Sequence, residues 1–217
     1  MLGESEIKTS FIIQNISRQI PKDGINLNEF LDMIGDHGIL LINIILVAPF
    51  LLPISIPGSS IPFGLAIIFL NLNNFIGGRI LLPNFILNYK ISQKTMIKIL
   101  NGMKNILSGL ERFSKPRFMI MKNNSYIKTL NSFLIVLSAF WLMLPLPIPL
   151  TDFLPAYCIL FLTIGSLEND GYFIFAGYIL TIITTIYFIL IALIGIKIIK
   201  YILSYLGIKT IIGIKTN

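Results

Sequence analysis

Asp152 lies in a stretch that cannot hold a regular helix, Pro145-Leu-Pro147-Ile-Pro149-Leu-Thr151-Asp152-Phe-Leu-Pro155. A carboxylate inside a broken apolar stretch is costly unless something binds it. It could hold a cation or proton, or orient a polar group of a substrate. The plainer reading puts it in water beside a turn. Glu168 and Asp170 flank Asn169 after a short apolar segment. Two carboxylates this close could share a proton or hold a cation, or cap a helix in a solvated loop. Pro57, Gly58, Ser59, Ser60 and Thr151 offer hydroxyls and free backbone amides. A helix beginning near Ser60 or Pro62 would aim its positive end at the break, which suits an anion such as a lipid phosphate. Ordinary turns use the same residues. Arg79, Arg112 and Arg117 could gather the phosphate of an anionic lipid, because guanidinium binds phosphate in a bidentate way. They could equally meet phospholipid headgroups or pair with acids. His37 reads as an interfacial residue.

The elements that position these residues are strongly apolar. Of 217 residues, 55% are hydrophobic and 12% charged, with a mean hydropathy of +0.83. That charged share is about half of what a soluble domain carries, so the bilayer is the natural solvent. The basic charge is concentrated. Residues 85–128 hold Lys90, Lys94, Lys98, Lys104, Arg112, Lys115, Arg117, Lys122 and Lys128 against the single acid Glu111. Such a segment between two apolar halves belongs on the cytoplasmic face of a membrane, not on nucleic acid. The lone Cys158 excludes an internal disulfide and reads as a small packing residue. The single histidine excludes a multi-histidine metal site, and no cofactor is expected. There is no GxxxxGK[ST] loop, GxSxG elbow or HExxH pair.

Along the chain, residues 10–20 and 28–33 read as short helices, the second capped by Asn28. Apolar segments run over Gly38–Leu52, interrupted by Pro49, and Phe63–Ile76, closed by Gly77, Gly78, Arg79 and Pro83. Each is too short to cross a hydrocarbon core of roughly 30 Å at 1.5 Å per residue. Between Ser92 and Phe113, Met96, Ile97, Leu100, Met103, Ile106, Leu107 and Leu110 recur at helical spacing with the lysines opposite, which predicts an amphipathic helix. Two further segments, Thr129–Leu144 and Ala156–Leu167, precede a long one, Tyr172–Ile196, that can span.

Leu52-Pro53-x-x-Ile56-Pro57 lines up with Leu144-Pro145-x-x-Ile148-Pro149 at an offset of 92 residues. Each stretch leads through polar residues and a further proline, Pro62 or Pro155, into a short apolar helix. Paired, proline-broken hydrophobic segments point to a transporter-like site, provided the broken backbone is buried in protein or lines a wet cavity. The alternative is that each stretch is an external turn of a plain hairpin. If both hairpins return to the cytoplasm, the last helix exports the basic tail (Lys197, Lys200, Lys209, Lys215). If segment four only dips from the far side, the tail returns. The charges favour the second arrangement.

These landmarks resemble the ExoD-type exopolysaccharide synthesis membrane proteins of bacteria. The resemblance covers roughly residues 25–195. It is carried by Gly35-Asp36-His37-Gly38, Leu52-Pro53 to Pro57-Gly58-Ser59, Gly78-Arg79 with Pro83, and Leu110-Glu111-Arg112 to Pro116-Arg117. Leu144-Pro145 to Pro149, Leu154-Pro155-Ala156 and Leu167-Glu168-Asn169-Asp170-Gly171 complete it. His37 and Asn169 stand where the family has arginine, Asp152 where it has asparagine, and the tryptophan after Arg79 is missing. Roles do not carry over to those places. The resemblance implies a part in exopolysaccharide production or envelope physiology and names no reaction.

The expected architecture is an all-α integral membrane protein of an inner membrane, as one membrane domain. It divides into a cytoplasmic segment (1–36), a first repeat (37–84), a basic linker with an amphipathic helix (85–128), a second repeat (129–171) and a final spanning helix with a basic tail (172–217). The repeats are two related proline-broken helical hairpins with possible re-entrant segments. The leading function is transport or handling of an anionic lipid carrier such as a polyprenyl phosphate. A non-transporting accessory subunit of a polysaccharide synthesis complex and a cation or proton exchanger remain open. Membrane lipids, polysaccharide synthesis proteins and a second copy of the chain are the expected partners.

Overall fold

The computed structural model describes residues 9–34, 38–52, 58–76, 84–110, 125–146, 148 and 150–205. His37, Pro53, Pro57, Arg79, Arg112, Arg117, Pro147 and Pro149 lie outside them. Helix α1 (Thr9–Gln19) places Ile13 and Ile16 on one face, with Ile20 just beyond its end. Helix α6 (Gln93–Leu110) answers with Met96 and Leu100, and the two helices pack together with these five side chains buried. Lys104 Nζ donates to Gln14 Oε1 (3.2 Å) and Gln93 Nε2 to the Ile20 carbonyl (2.9 Å) at the edges of this contact. The apolar stripe of α1 therefore rests on protein.

Two short strands, β1 (Ile25–Asn26) and β2 (Lys90–Ile91), pair antiparallel with Ile25 opposite Ile91. Gly24 comes so close to the Ile91 carbonyl, at φ +91, that any Cβ would collide with it. Helix α2 (Leu27–Ile34) is capped by Asn26, not by the expected Asn28. The Glu29 N–H donates to Asn26 Oδ1 (2.7 Å) and the Asn26 N–H to Glu29 Oε2 (3.1 Å), a reciprocal capping box. The sequence reading missed it because Asn26 also belongs to a strand.

Helix α3 (Gly38–Val47) tightens into a 3-10 turn (Ala48–Leu51) at Pro49, which has no N–H to continue the ladder. Helix α4 (Ser60–Ile76) and helix α8 (Phe153–Leu167) both begin three residues earlier than their apolar runs. Pro62 and Pro155, read as breaks, stand inside the first turns, where a missing N–H costs nothing. Helices α5 (Asn84–Leu87), α7 (Ser125–Leu142) and α9 (Gly171–Tyr205) complete the chain. Among the described residues, two helices, over Ser125–Leu142 and Gly171–Ile202, are long and apolar enough to cross a membrane.

Contacts fix the directions of the helices. α3 and α4 run antiparallel, with Asn43 beside Asn71 and Phe50 beside Phe63. α8 runs antiparallel to α9, with Gly165 against Ile174, Gly177 against Leu162 and Cys158 against Thr184. α7 runs parallel to α9, with Asn131 beside Tyr178 and Trp141 stacked on Phe188. The end of α3, the start of α4, the end of α7 and the start of α8 thus share one end of the bundle. The starts of α3, α7 and α9 lie at the other. α9 runs parallel to α7 and past the other helices, so its Lys197 and Lys200 lie at the end away from Lys128. The cause is local. After α8, Asn169 takes a left-handed conformation (φ 52) and the Asp170 N–H bonds the Gly165 carbonyl (2.9 Å), so the chain reverses directly.

Candidate functional site

The two breaks meet. Ser60, the first residue of α4, donates its hydroxyl to Asp152 Oδ1 at 3.1 Å. Asp152 stands at the N-cap of α8 yet makes no side-chain cap bond to its own helix. Ser60 is 0% and Asp152 7% exposed, so the contact is sealed by the α3, α4, α7 and α8 ends. The starts of α4 and α8 converge on this carboxylate, and helix N-termini favour negative charge. Just ahead of each helix, Gly58 (φ 84) and Leu150 (φ 69) are left-handed. Beside them, Ser59 is half-buried and Thr151 is fully buried, its hydroxyl bonded to the carbonyls of Ile148 (2.8 Å) and Leu146 (3.2 Å). Thr151 therefore holds the break in shape.

Glu168 and Asp170 form no second half of this site. Sixteen residues of helical rise put Glu168 about 24 Å from Asp152. Asp170 is 1% exposed and accepts the Tyr172 N–H at 2.9 Å, so it caps α9. Glu168 terminates α8. The carboxylates thus fall at opposite ends of α8. Pro145 is exposed on the open side of the break.

Three further polar groups lie within the apolar bundle, of which only Cys158 was foreseen in the sequence, as a packing residue. Asn43 and Asn71, both 0% exposed, exchange two amide hydrogen bonds (3.2 and 3.1 Å), and Asn71 Nδ2 also reaches the Ile67 carbonyl (2.7 Å). Asn131 donates to Ser166 (2.9 Å) and accepts from the Tyr178 hydroxyl (2.7 Å). Cys158 is buried against Thr184 (3.2 Å). Asparagines inside uncharged apolar helices are the signal that finds the first two, since an amide in such surroundings must be paired. Each of these groups ties helices that are already sequence neighbours or next neighbours. The Ser60–Asp152 bond instead ties the α3–α4 pair to the α7–α8 pair.

The architecture defines a helical protein of two short apolar helix pairs packed on each other, the second of them also built against one long apolar helix. The family described as "Exopolysaccharide synthesis, ExoD" matches residues 9–190, and the chain belongs to it. The match ends at the height where α9 leaves the bundle. Protein ExoD of Rhizobium meliloti (strain 1021) is 33% identical over 187 residues, which is 86% of this chain and 78% of that one. An uncharacterized protein of Synechocystis sp. is 30% identical over 161 residues, covering 73% of this chain and 74% of its own. No solved structure gives a significant match.

Proposed function

We propose that this protein is a multi-pass protein of a bacterial inner membrane that takes part in exopolysaccharide synthesis, and that it handles or transports an anionic lipid carrier, such as a polyprenyl phosphate, where its two hairpins meet. Family membership supports the first part. The second rests on one observation, the bond between Ser60 and Asp152. These residues are 92 positions apart, the same offset that aligns the two proline motifs. The left-handed residues Gly58 and Leu150 are also 92 apart. Equivalent positions that touch are expected where two related units face each other across a local two-fold axis. In transporters built from repeats, the site lies at that interface.

Two converging helix starts suit a phosphate, while the buried carboxylate favours the alternative of cation or proton exchange. Reconstitution separates them. Purified protein in liposomes is expected to move a lipid phosphate between leaflets, and Asp152→Asn to change that rate. Movement of protons or cations alone would select the exchanger. Movement of nothing tested, with co-purification of a polysaccharide synthase, would leave an accessory role.

A further inference from the structure

A second set of polar groups lies inside the bundle, at the junction of α7, α8 and α9. The Cys158 thiol of α8 stands 3.2 Å from the Thr184 hydroxyl of α9. The Ser138 hydroxyl of α7 and the Thr181 hydroxyl, one turn down α9, lie around the same sulfur. All four residues are buried. Thr181 is satisfied, because its hydroxyl donates to the Gly177 carbonyl (2.8 Å). Ser138 Oγ is not: among the described residues it has no hydrogen-bond partner. The same holds for the buried Nε1 of Trp141, one turn further along α7.

These two groups point to the same place. Ser138 and Trp141 are three residues apart, so they share one face of α7. Trp141 stacks on Phe188, which stands one turn beyond Thr184 on α9. A long helical side chain leans back toward the N-terminus of its helix, and on α7 that is toward Ser138. The indole N–H, the Ser138 hydroxyl, the thiol and the Thr184 hydroxyl are thus gathered within one turn of height, about 5–6 Å. Two hydrogen bonds of about 2.8 Å to one shared water span that distance. Buried hydroxyls and indole N–H groups nearly always have a partner, because an unsatisfied one keeps its full desolvation penalty. Serine, cysteine and threonine are small, and a water needs only about 10–15 Å³ of free space with two to four polar neighbours.

We propose that the junction of Ser138, Trp141, Cys158 and Thr184 is a binding site for a structural water, which clasps α9 to the α7–α8 pair. The water accepts from the Trp141 N–H. It donates to Ser138 Oγ and to the thiol–hydroxyl pair of Cys158 and Thr184. One molecule thereby joins three helices by directional bonds. Such bonds set the height of one apolar helix on its neighbours, which apolar packing does less sharply. The height matters here, because α9 leaves the bundle just above. Beyond Phe188, the side chains of Ile189, Leu190, Leu193 and Ile194 are all about half exposed. The clasp is separate from the Ser60–Asp152 contact and holds whether or not the protein moves a substrate.

The chain has one cysteine and one tryptophan, so the S–H stretch and the indole N–H bands each belong to one residue of the junction. Both are measured on the full chain in phosphatidylcholine vesicles. The Raman band that reports indole hydrogen bonding is expected at its bonded position. In D2O the infrared S–H band of Cys158 is expected to become S–D within minutes, while the helix backbone amides still hold their protons. Ser138→Ala is expected to shift both bands, because the shared water loses a partner. Thr184→Val, close to threonine in shape, is expected to do the same and serves if the first variant does not fold. A free indole N–H in the unmodified protein would overturn the proposal. So would a bonded indole beside a thiol that exchanges only together with the amides, since that describes a dry junction in which the indole bonds Ser138 directly. Bands that neither variant moves would overturn it too, because the groups would then share nothing.

Discussion

The Ser60–Asp152 bond can be measured as a coupling energy. Ser60→Ala and Asp152→Ala each remove one partner, and the double variant removes both. Individual effects mix hydrogen bonding with desolvation, since Asp152→Ala also takes a buried charge away. The cycle cancels those parts and leaves the pair. Interhelical hydrogen bonds in membrane proteins average about 0.6 kcal/mol, and a charged acceptor roughly doubles a hydrogen bond. At 3.1 Å and with both groups buried, the coupling is expected at about 1–1.5 kcal/mol, which is close to a tenfold change in the folding constant. Reversible unfolding in mixed micelles on adding dodecyl sulfate supplies the assay, read by Trp141 fluorescence. Trp141 stacks on Phe188 across α7 and α9 (4.9 Å between centroids), so loss of the bundle changes its surroundings. Effects that add to within about 0.3 kcal/mol would refute the contact and, with it, the meeting of the two helix pairs.

The left-handed backbone at the two breaks gives a pair of opposite signs: Leu150→Gly is expected to stabilise by up to about 1 kcal/mol, as relief of left-handed strain exceeds the entropy of glycine, and Gly58→Leu to destabilise by about 1–2 kcal/mol, both read by the same unfolding assay. A Cβ at Gly58 meets nothing within 4 Å, so a loss there reports backbone strain alone. A Cβ at Gly64 would run into the Met143 side chain and stand 2.9 Å from the Ala139 carbonyl oxygen. Gly64→Ala should therefore cost about 1–3 kcal/mol by separating α4 from α7, and an unchanged midpoint would contradict that packing. Asn71→Leu strands the Asn43 amide and should cost about 1–3 kcal/mol, most of it recovered in Asn43→Leu/Asn71→Leu. If the double variant is worse than the single, the reciprocal amide pair is the wrong description.

What the sequence made legible follows from where its physics is local. Apolar runs bounded by proline and glycine located α3, α4, α7 and α8 and the start of α9 to within a few residues, because helix breaking acts on the next turn only; α9 runs on past Ile196 to Tyr205. The true starts of α4 and α8 came earlier, since proline is harmless in a first turn and so does not mark the boundary. The three-and-four spacing of Met96 and Leu100 gave α6, but not its partner, because nothing in that stripe says whether lipid or α1 covers it. The direction of α9 relative to α7 is likewise set by neighbouring residues. Counting lysines weighs the whole chain, whereas the tight turn at Asn169 dictates a reversal regardless of the charges beyond it.

The candidate site shows the same division. Asp152, Ser60, Ser59 and Thr151 were each legible as residues at proline breaks, as was Gly58, whose left-handed φ the sequence analysis did not state. That Ser60 and Asp152 form one contact was not legible, although the offset of 92 already related them. A repeat in a sequence states that two positions have the same surroundings; it does not say that they touch. They touch only if an axis relating the units runs past them, and that depends on how α4 packs on α7 and α3 on α8. Gly64 decides the first of these contacts by letting the Ala139 backbone approach. The separation of Glu168 and Asp170 from Asp152 has the same origin. One straight helix of 15 residues holds the carboxylates apart, so the acids serve two ends of the bundle, one at the break and the other at the turn into α9.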